Sequence, residues 1–337
     1  MKNLFVFVCF ALALGFALDA VAQMEGPNNW MASKAYDIYI SGYVQGRWTY
    51  TDGGDPDNAF SLPRARVEFA GSLNENWGFV LETELAGDVS LRTTGVAYKF
   101  TDGQVFLGQG KSRLVLENIT SSSELDTINR SGIAGAVNEY DIGLFLNYGF
   151  LEGKVGVEAS VTNGPGLNAA EVNDAKDYTI RVWGKPFQGS ENMADGLLIA
   201  GAFSMGDQQE TDVDGIDLGD FDRTIWVGTA QWIYSGIKVQ GEYANVDQDL
   251  AGGGSMSTDG WYVLASYDLP MEGMTVTPVA KYETIDGSVA DGDWITLGVR
   301  VSFIGTHDVK IEANYILEDL DIGESLDEFI LQLQAKF

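Results

Sequence analysis

The sequence predicts an all-β protein, a transmembrane antiparallel β-barrel of about sixteen strands with short periplasmic turns and long extracellular loops. Residues 329–337 alternate, which places Leu331 and Leu333 on one face of a strand and Gln332 and Gln334 on the other. Similar alternating segments run along most of the chain. Short connections between these segments alternate with longer ones. Beyond the N-terminal segment, no apolar stretch approaches the ~20 residues of a membrane-spanning helix. Together these observations favour strands that meet lipid on one face and water on the other.

The first 22 residues have the pattern of a cleaved secretory signal peptide. Lys2 is followed by a short apolar run over residues 4–18 and then by Ala20-Val21-Ala22, an A-x-A cleavage site. Cys9 is the only cysteine and lies within this segment. The mature chain is therefore expected to contain neither a disulfide nor a reactive thiolate.

Residues 23–35 are predicted to form a periplasmic N-terminal segment, and residues 36–337 the barrel. The individual strands are each near the ~10 residues that a tilted transmembrane strand requires. They are predicted near residues 36–50, 60–72, 76–86, 90–101, 104–113, 140–150, 153–163, 177–187, 195–206, 222–234, 236–247, 258–269, 274–286, 292–304, 307–318 and 326–337.

The lengths of the connections predict the orientation of the barrel. Even-numbered connections are tight turns, such as Asn74-Glu75, and only the one around residues 188–194 is longer. Odd-numbered connections include the long ones, such as residues 51–59 and 207–221, and the longest is the third loop at residues 114–139. Because bacterial barrels have short periplasmic turns and longer surface loops, the first strand is expected to start in the periplasm.

Charged residues on the strands are expected to face the lumen. Val67 and Phe69 belong to the apolar row of the second strand, so Arg66 belongs to the inward row. An arginine in lipid at mid-depth costs roughly 2–4 kcal/mol, which enforces this choice. The residues predicted to line the pore from strands are Arg47, Arg64, Arg66, Glu68, Glu82, Glu84, Arg181 and Arg300.

The acidic balance excludes one class of partner and leaves one binding site open. A net charge of −29 argues against nucleic acid, because a phosphate backbone requires a basic surface. The fifth loop is rich in aspartate, and residues 212–217 resemble a calcium loop. Their spacing misses the D-x-[DN]-x-[DN]-G pattern, so an ordinary solvated loop or loose divalent bridging to anionic lipid is expected instead.

The composition also argues against an enzyme and against a bound metal or other cofactor. A serine hydrolase requires a histidine as general base, and the only histidine is His307, at a predicted periplasmic turn. We expect His307 to be an ordinary surface residue. With one histidine and no cysteine in the mature chain, an imidazole or thiolate metal site is not expected.

Six segments occur in this order along the chain: Ile40–Gln45, Leu62–Gly71, Gly108–Lys111, Ser121–Leu125, Ile128–Arg130 and Val161–Gly164. Together they resemble the phosphate-selective porin O and P family. The resemblance implies a sixteen-stranded outer-membrane barrel of a Gram-negative bacterium, a homotrimer, and a third loop at 114–139 that folds inward. It also implies recognition of Phe337 by the barrel-assembly machinery. The constriction residues would then be Glu117, Glu124, Asp126 and Arg130, of which Arg130 would also line the pore.

The predicted function is passive diffusion of small hydrophilic solutes and ions through a mixed-charge, water-filled pore in outer-membrane lipid. Inward basic and acidic residues are similar in number, which favours weak selectivity. One alternative is an anion- or phosphate-selective porin, suggested by Arg64 and Arg66. A second alternative is a structural barrel whose acidic loops bind a surface partner or divalent ions.

Overall fold

The computed structural model describes residues 37–137, 139–171, 173–209, 220–250, 254–287, 291–305, 307–320 and 325–337. The predicted signal peptide (1–22) and N-terminal segment (23–35) lie outside these ranges, as does the candidate calcium loop at 212–217. Within them the chain forms a closed antiparallel barrel of sixteen strands, which confirms the predicted fold class.

Each strand pairs with its sequence neighbours, and the last pairs with the first. β12 is interrupted at Asp268, but both of its parts pair with β13. The strands are β1 (Asp37–Thr51), β2 (Asn58–Ser72), β3 (Trp77–Glu84), β4 (Ser90–Phe100), β5 (Gly103–Lys111), β6 (Tyr140–Phe150), β7 (Val155–Thr162), β8 (Asp177–Gly184), β9 (Leu197–Gln209), β10 (Asp220–Tyr234), β11 (Ile237–Leu250), β12 (Ser255–Tyr267 and Leu269–Met271), β13 (Met274–Gly287), β14 (Gly292–Ile304), β15 (Val309–Leu320) and β16 (Glu328–Lys336).

The seam between β1 and β16 closes the barrel. In its register Gln45 lies opposite Gln334 and Arg47 opposite Gln332. The backbones of Gly42 and Phe337 exchange two hydrogen bonds of 2.9 Å, which complete the ladder at the end of the seam. No sheet edge is left along this seam, as a barrel in lipid requires.

Side chains on the strands follow the predicted alternation. On β16, Leu331 and Leu333 are exposed on the outer face, whereas Gln332 and Gln334 are buried in the interior. Leu333 is 56 % exposed and Gln334 is fully buried. The outer row therefore meets lipid and the inner row meets the interior.

Short turns lie at one end of the barrel. The β10–β11 turn needs only Ser235 and Gly236, both with positive φ (50° and 84°), as a two-residue hairpin turn requires. The longer predicted connection before β9 contains a 3₁₀ turn at Met193–Gly196, which explains why β9 starts at Leu197 rather than at residue 195. β3 ends at Glu84, two residues earlier than predicted, and the Glu84 carboxylate accepts hydrogen bonds from the Ala65 and Ala86 N–H groups.

Among the residues that the structure describes, no helix is both long enough and apolar enough to cross a membrane.

The connection between β5 and β6, hereafter the third loop, crosses the barrel interior. It contains two short helices, α1 (Leu116–Ile119) and α2 (Gly132–Gly135). Leu114, Val115 and Ile133 of the loop pack in one buried apolar cluster with inward residues of β9 to β13. The barrel residues of this cluster are Ala202, Ile225, Val227, Ala244, Val246, Tyr262, Leu264, Val279 and Ile285. The loop therefore adheres to one side of the barrel.

Candidate functional site in the barrel interior

The middle of the third loop is held by Asp126, which bridges two cations of the barrel wall. Its carboxylate accepts from Lys238 Nζ of β11 at 2.7 Å and from an Arg300 guanidinium nitrogen of β14 at 2.9 Å. Burial raises the pKa of Asp126, but the charges of Lys238 and Arg300 outweigh it, so the pKa lies below its usual value. We call these three residues the Asp126 clamp. Charge-assisted bonds of this geometry fix position as well as contributing energy.

The backbone of the same loop segment is bonded to inward amides around the β1–β16 seam. The Ile128 N–H donates to Asn314 Oδ1 at 2.8 Å, and Gln334 Nε2 donates to the Ser123 carbonyl at 3.1 Å. Gln45 Nε2 donates to the Ser122 carbonyl at 3.3 Å. Backbone groups buried in the lumen thus obtain partners without regular secondary structure, as burial requires.

Glu242 of β11 holds the start of α1. Its carboxylate accepts from the Leu116 N–H at 2.7 Å and the Glu117 N–H at 3.3 Å, which are free donors of the first helical turn. Thr229 and Tyr262 donate hydroxyl hydrogen bonds to the same carboxylate at 2.7 and 2.8 Å. A buried acid with four donors is well satisfied, and the helix is anchored to the wall.

Glu117 and Arg130, two of the predicted constriction residues, organise the loop internally. Glu117 is buried and accepts from both the N–H (2.6 Å) and the hydroxyl (2.7 Å) of Ser131. Arg130 donates to the Glu117 and Thr120 carbonyls and forms an ion pair with Glu139 at 3.1 Å. These contacts fold the two halves of the loop onto each other.

Glu124, the remaining predicted constriction residue, lies apart from the clamp. Its side chain is 48 % exposed and pairs with Lys336 Nζ at 2.9 Å. Glu68, predicted to line the pore, is half-buried on the inward row of β2 and accepts a long hydrogen bond from Ser41 at 3.5 Å.

Arg66 and Glu84 form the most buried ion pair on the other side of the lumen. Arg66 Nε lies 2.8 Å from Glu84, and Arg66 also lies 3.5 Å from Glu82. Arg66 and Glu84 are each only 4 % exposed, so little of this pair faces the lumen. The Arg66 guanidinium also lies over the Tyr43 ring, 5.7 Å from its centroid.

Arg64 and Arg92 form no ion pair with any carboxylate in the described part of the chain. Arg64 donates to Gln45 Oε1 at 3.0 Å, and its neighbouring charges are mainly basic, including Arg66 and Arg130. Arg92 lies over the Tyr140 ring at 5.5 Å. Positive charge on this wall is therefore not fully neutralised by contact.

Arg47, Arg181 and Arg300 are all inward but have different surroundings. Arg47 is half-buried and donates to Gln332 at 3.0 Å and to Asn129 of the third loop at 3.3 Å. Arg181 is 4 % exposed and paired with Glu158 at 2.8 Å, and Arg300 is 2 % exposed within the Asp126 clamp. Contact with a passing solute remains a prediction for these arginines.

A cavity of about 460 Å³ remains open between the third loop and the wall formed by β2 to β6. It extends from Ser72 and Asn147 near the turn end of the barrel to Ile119 of α1. The basic residues lining it are Lys99, Lys111 and Arg113, and none of its lining residues is an aspartate or a glutamate.

His307 lies at the β14–β15 turn, as predicted, but its side chain is half-buried rather than at the surface. Its Nδ1 lies 3.4 Å from Lys310 Nζ. Burial and the positive charges of Lys310 and Arg300 lower the pKa of His307 to about 3, so the imidazole is neutral. In the described residues, no group of three or more His, Cys, Asp or Glu side chains is arranged to hold a metal ion.

Sequence reasoning missed several inward cations. Lys238 and Lys310 contact the third loop, and Lys111 and Arg113 line the cavity. Lys238 and Lys310 lie on the polar rows of their strands, so the alternation used for Arg66 was sufficient to find them. Lys111 and Arg113 lie where β5 gives way to the loop, where alternation is no longer a guide.

The closed barrel, its lipid-facing outer row and its partly open polar lumen define an outer-membrane channel. The family model of phosphate-selective porin O and P matches residues 41–287, well over half of the chain. The chain belongs to this family, and it is an outer-membrane porin of a Gram-negative bacterium. No curated protein sequence matches it significantly.

Solved structures share the fold at low sequence identity. The trimer form of in-vitro folded OmpT from Vibrio cholerae has 12 % identity and a TM-score of 0.66, covering 90 % of this chain and 100 % of its own. An anion-selective porin from Comamonas acidovorans has 14 % identity and a TM-score of 0.63, with the same two coverages. The OmpF–daunomycin complex from Salmonella typhi has 15 % identity and a TM-score of 0.64, covering 89 % and 97 %. These likenesses establish the fold alone.

Proposed function

We propose that the protein passes small hydrophilic solutes and ions by passive diffusion between the third loop and the β2–β6 wall. The observation that carries this proposal is the asymmetric position of the loop, which packs on β9 to β13 and leaves the 460 Å³ cavity on the opposite side. The third loop, including Glu117, Asp126 and Arg130, forms the constriction in this proposal. The pore lining is formed by the inward charged residues Arg64, Glu68 and Glu82, with Arg66 and Glu84 behind them.

Planar-bilayer recording of the purified protein tests this function. We expect stepwise current increments in a simple salt, each from insertion of one unit. Liposome swelling with sugars of increasing size measures the cut-off that the constriction imposes. Preparations that insert but produce no steps would overturn the proposal.

A preference for anions is the second candidate function. It is favoured by the cavity lining, which has three basic residues and no carboxylate, and by the absence of ion pairs at Arg64 and Arg92 among the described residues. The Comamonas acidovorans porin that shares the fold is anion-selective. Reversal potentials in a salt gradient separate the candidates, because an unselective pore gives a value near zero.

We further propose that the porin is a homotrimer in lipid and that it catalyses no reaction. The trimer is supported by the OmpT trimer form, which shares the fold. Absence of catalysis is supported by the position of His307, which contacts Lys310 instead of a nucleophile. Light scattering in detergent, with the detergent contribution subtracted, tests the trimer. Replacing His307 with alanine should leave the conductance unchanged.

A further inference from the structure

The wall of the cavity carries an aromatic surface. The passage of water and inorganic ions does not need such a surface. Phe106 of β5 and Phe145 of β6 lie opposite each other in the register, with ring centroids 5.9 Å apart. Both rings line the cavity together with Ile119 of the third loop. Inward positions of a water-filled barrel are ordinarily polar, so this apolar patch departs from the pattern.

Glycines hold these rings against the wall. A Cβ atom on Gly95 would lie 2.7 Å from Phe106 Cζ, and one on Gly110 would lie 3.2 Å from the Phe145 ring. Because contacts under about 3 Å are not tolerated, any side chain at Gly95 would displace the Phe106 ring or the adjacent backbone. The rings therefore lie directly on glycine backbone, and Phe106 remains half-exposed toward the cavity.

Cationic groups lie at both ends of this aromatic surface. Ala97 is opposite Phe106 and Lys99 is opposite Gln104, so Lys99 lies one two-residue repeat nearer the turn end, about 7 Å along the strand. Lys99 is exposed and forms no ion pair in the described part of the chain. Lys111 and Arg113 lie at the other end, beside the third loop. If the carboxylate of a bound molecule lies near Lys99, an aromatic ring attached to it lies beside Phe106.

We propose that this cavity selects aromatic carboxylates as its substrates. This proposal rests on the anion-conducting form of the proposed function. The carboxylate meets Lys99 or the Lys111–Arg113 end, and the ring stacks on Phe106, which is backed by the Phe145 ring, itself only 6 % exposed. The cavity volume lies within the range of small-molecule sites, roughly 300–1,000 Å³. No acidic residue lines the cavity itself. Lys111 and Arg113 pair with Glu139 at 3.5 Å and Glu158 at 3.8 Å behind the lining, so Lys99 is the cation most available to a carboxylate.

The test compares benzoate with gluconate, a larger hydrophilic carboxylate of the same charge, as the only anion on one side of a bilayer at pH 8, and the phenylalanine variants separate ring contact from size. We expect the benzoate-to-gluconate permeability ratio to exceed that of free diffusion by about two- to tenfold, the change that one aromatic contact supplies. Phe106→Leu and Phe145→Leu should each lower this ratio, which is read for each variant relative to its own single-channel conductance in potassium chloride. Phe303→Leu, on the lipid face of β14, is the matched control and should change neither quantity.

The outcomes separate this inference from the function beneath it. If no current steps appear in potassium chloride, the porin proposal itself fails. If steps appear but benzoate and gluconate permeate alike, the aromatic-carboxylate proposal fails and the porin remains. If the benzoate preference persists in both phenylalanine variants, the rings do not cause it and the proposal is also wrong. Lys99→Gln should lower the benzoate permeability, because it removes charge without disturbing the packing of the rings. An unchanged benzoate permeability would contradict the role of Lys99 in the proposal.

Discussion

Two walls of one barrel use their inward residues in opposite ways. On the loop-bearing wall, β9 to β16, the inward residues include Ile225, Val227 and Leu264, which the third loop covers. On the open wall, β2 to β6, they include Arg64 and Arg92, which form no ion pairs in the described part of the chain. The third loop adheres to one wall, and the other wall keeps charges that no ion pair of the described residues neutralises. In the proposed function, the water path therefore lies next to the open wall.

Magnitudes indicate what holds the loop. Full burial of an apolar side chain such as Ile133 or Val115 stabilises by roughly 1.5–3 kcal/mol. A buried ion pair can be close to neutral overall, because desolvation offsets attraction. Apolar packing therefore supplies most of the adhesion, and the Asp126 clamp determines where the middle of the loop lies.

The largest effect is expected from breaking the apolar adhesion. Ile133→Asp places a carboxylate in the buried cluster beside Ile285, among apolar side chains. The loop should leave the wall, and the single-channel conductance should rise about twofold or fluctuate among levels, because pore diameter controls conduction. Single-channel recording measures both.

Ile119→Asp is the control for this variant. It makes the same substitution in the same loop, but Ile119 lines the open cavity rather than the cluster. The conductance should stay near wild type, with a shift toward cations. Equal increases in the two variants would contradict the division into two walls.

A smaller effect is expected from the charge of the open wall. Arg64→Glu changes the wall by two charges at a position with no acidic ion-pair partner among the described residues. The chloride-to-potassium permeability ratio should fall by a factor of roughly 3, because a low-dielectric pore focuses the field of its charges. Reversal potentials in a tenfold salt gradient measure the ratio.

Lys185→Glu makes the same change of charge at the turn end of the barrel, just beyond β8. Lys185 follows β8 and lies over the Trp183 ring, 5.8 Å from its centroid. Its permeability ratio should match that of the wild type. A shift as large as that of Arg64→Glu would indicate a general effect of net charge instead of a local one.

Alternation of apolar and polar residues predicted the barrel, because lipid requires the outward-facing row of every strand to be apolar. Charged residues such as Arg66 and Arg300 could be assigned inward from sequence for the same reason. Alternation does not report whether an inward residue meets water or another part of the protein. Arg300 thus proves to be 2 % exposed inside the Asp126 clamp, and Arg64 to be free of ion pairs in the described residues, although both were predicted alike.

The sequence contains one signal that marks the loop-bearing wall, namely a strand whose two rows are both apolar. In β12, the inward Tyr262 and Leu264 alternate with the outward Val263 and Ala265, so both rows are apolar. A strand with two apolar faces in a barrel needs cover on the inner face as well as lipid outside. The third loop supplies that cover, and strands of this kind predict where it adheres.

The smallest effect is expected from acid acting on the Asp126 clamp. Because the pKa of Asp126 is lowered in the folded protein, its ion pairs stabilise the loop fully above its ordinary pKa of 3.8. This stabilisation is lost as the pH falls from about that value through the lowered pKa, because protonation removes the charge that Lys238 and Arg300 pair with. Current fluctuations should therefore increase below pH 3.8. Asp126→Asn lacks the titrating group, so its current should fluctuate at every pH and show no further increase below pH 3.8.

Glu124→Gln is the control for this prediction. It removes an exposed acid of the same loop and should retain the increase in fluctuations below pH 3.8. Since apolar packing remains in acid, the change should stay well below that of Ile133→Asp. An acid response as large as that variant's would mean that the clamp, and not the apolar cluster, holds the loop to its wall.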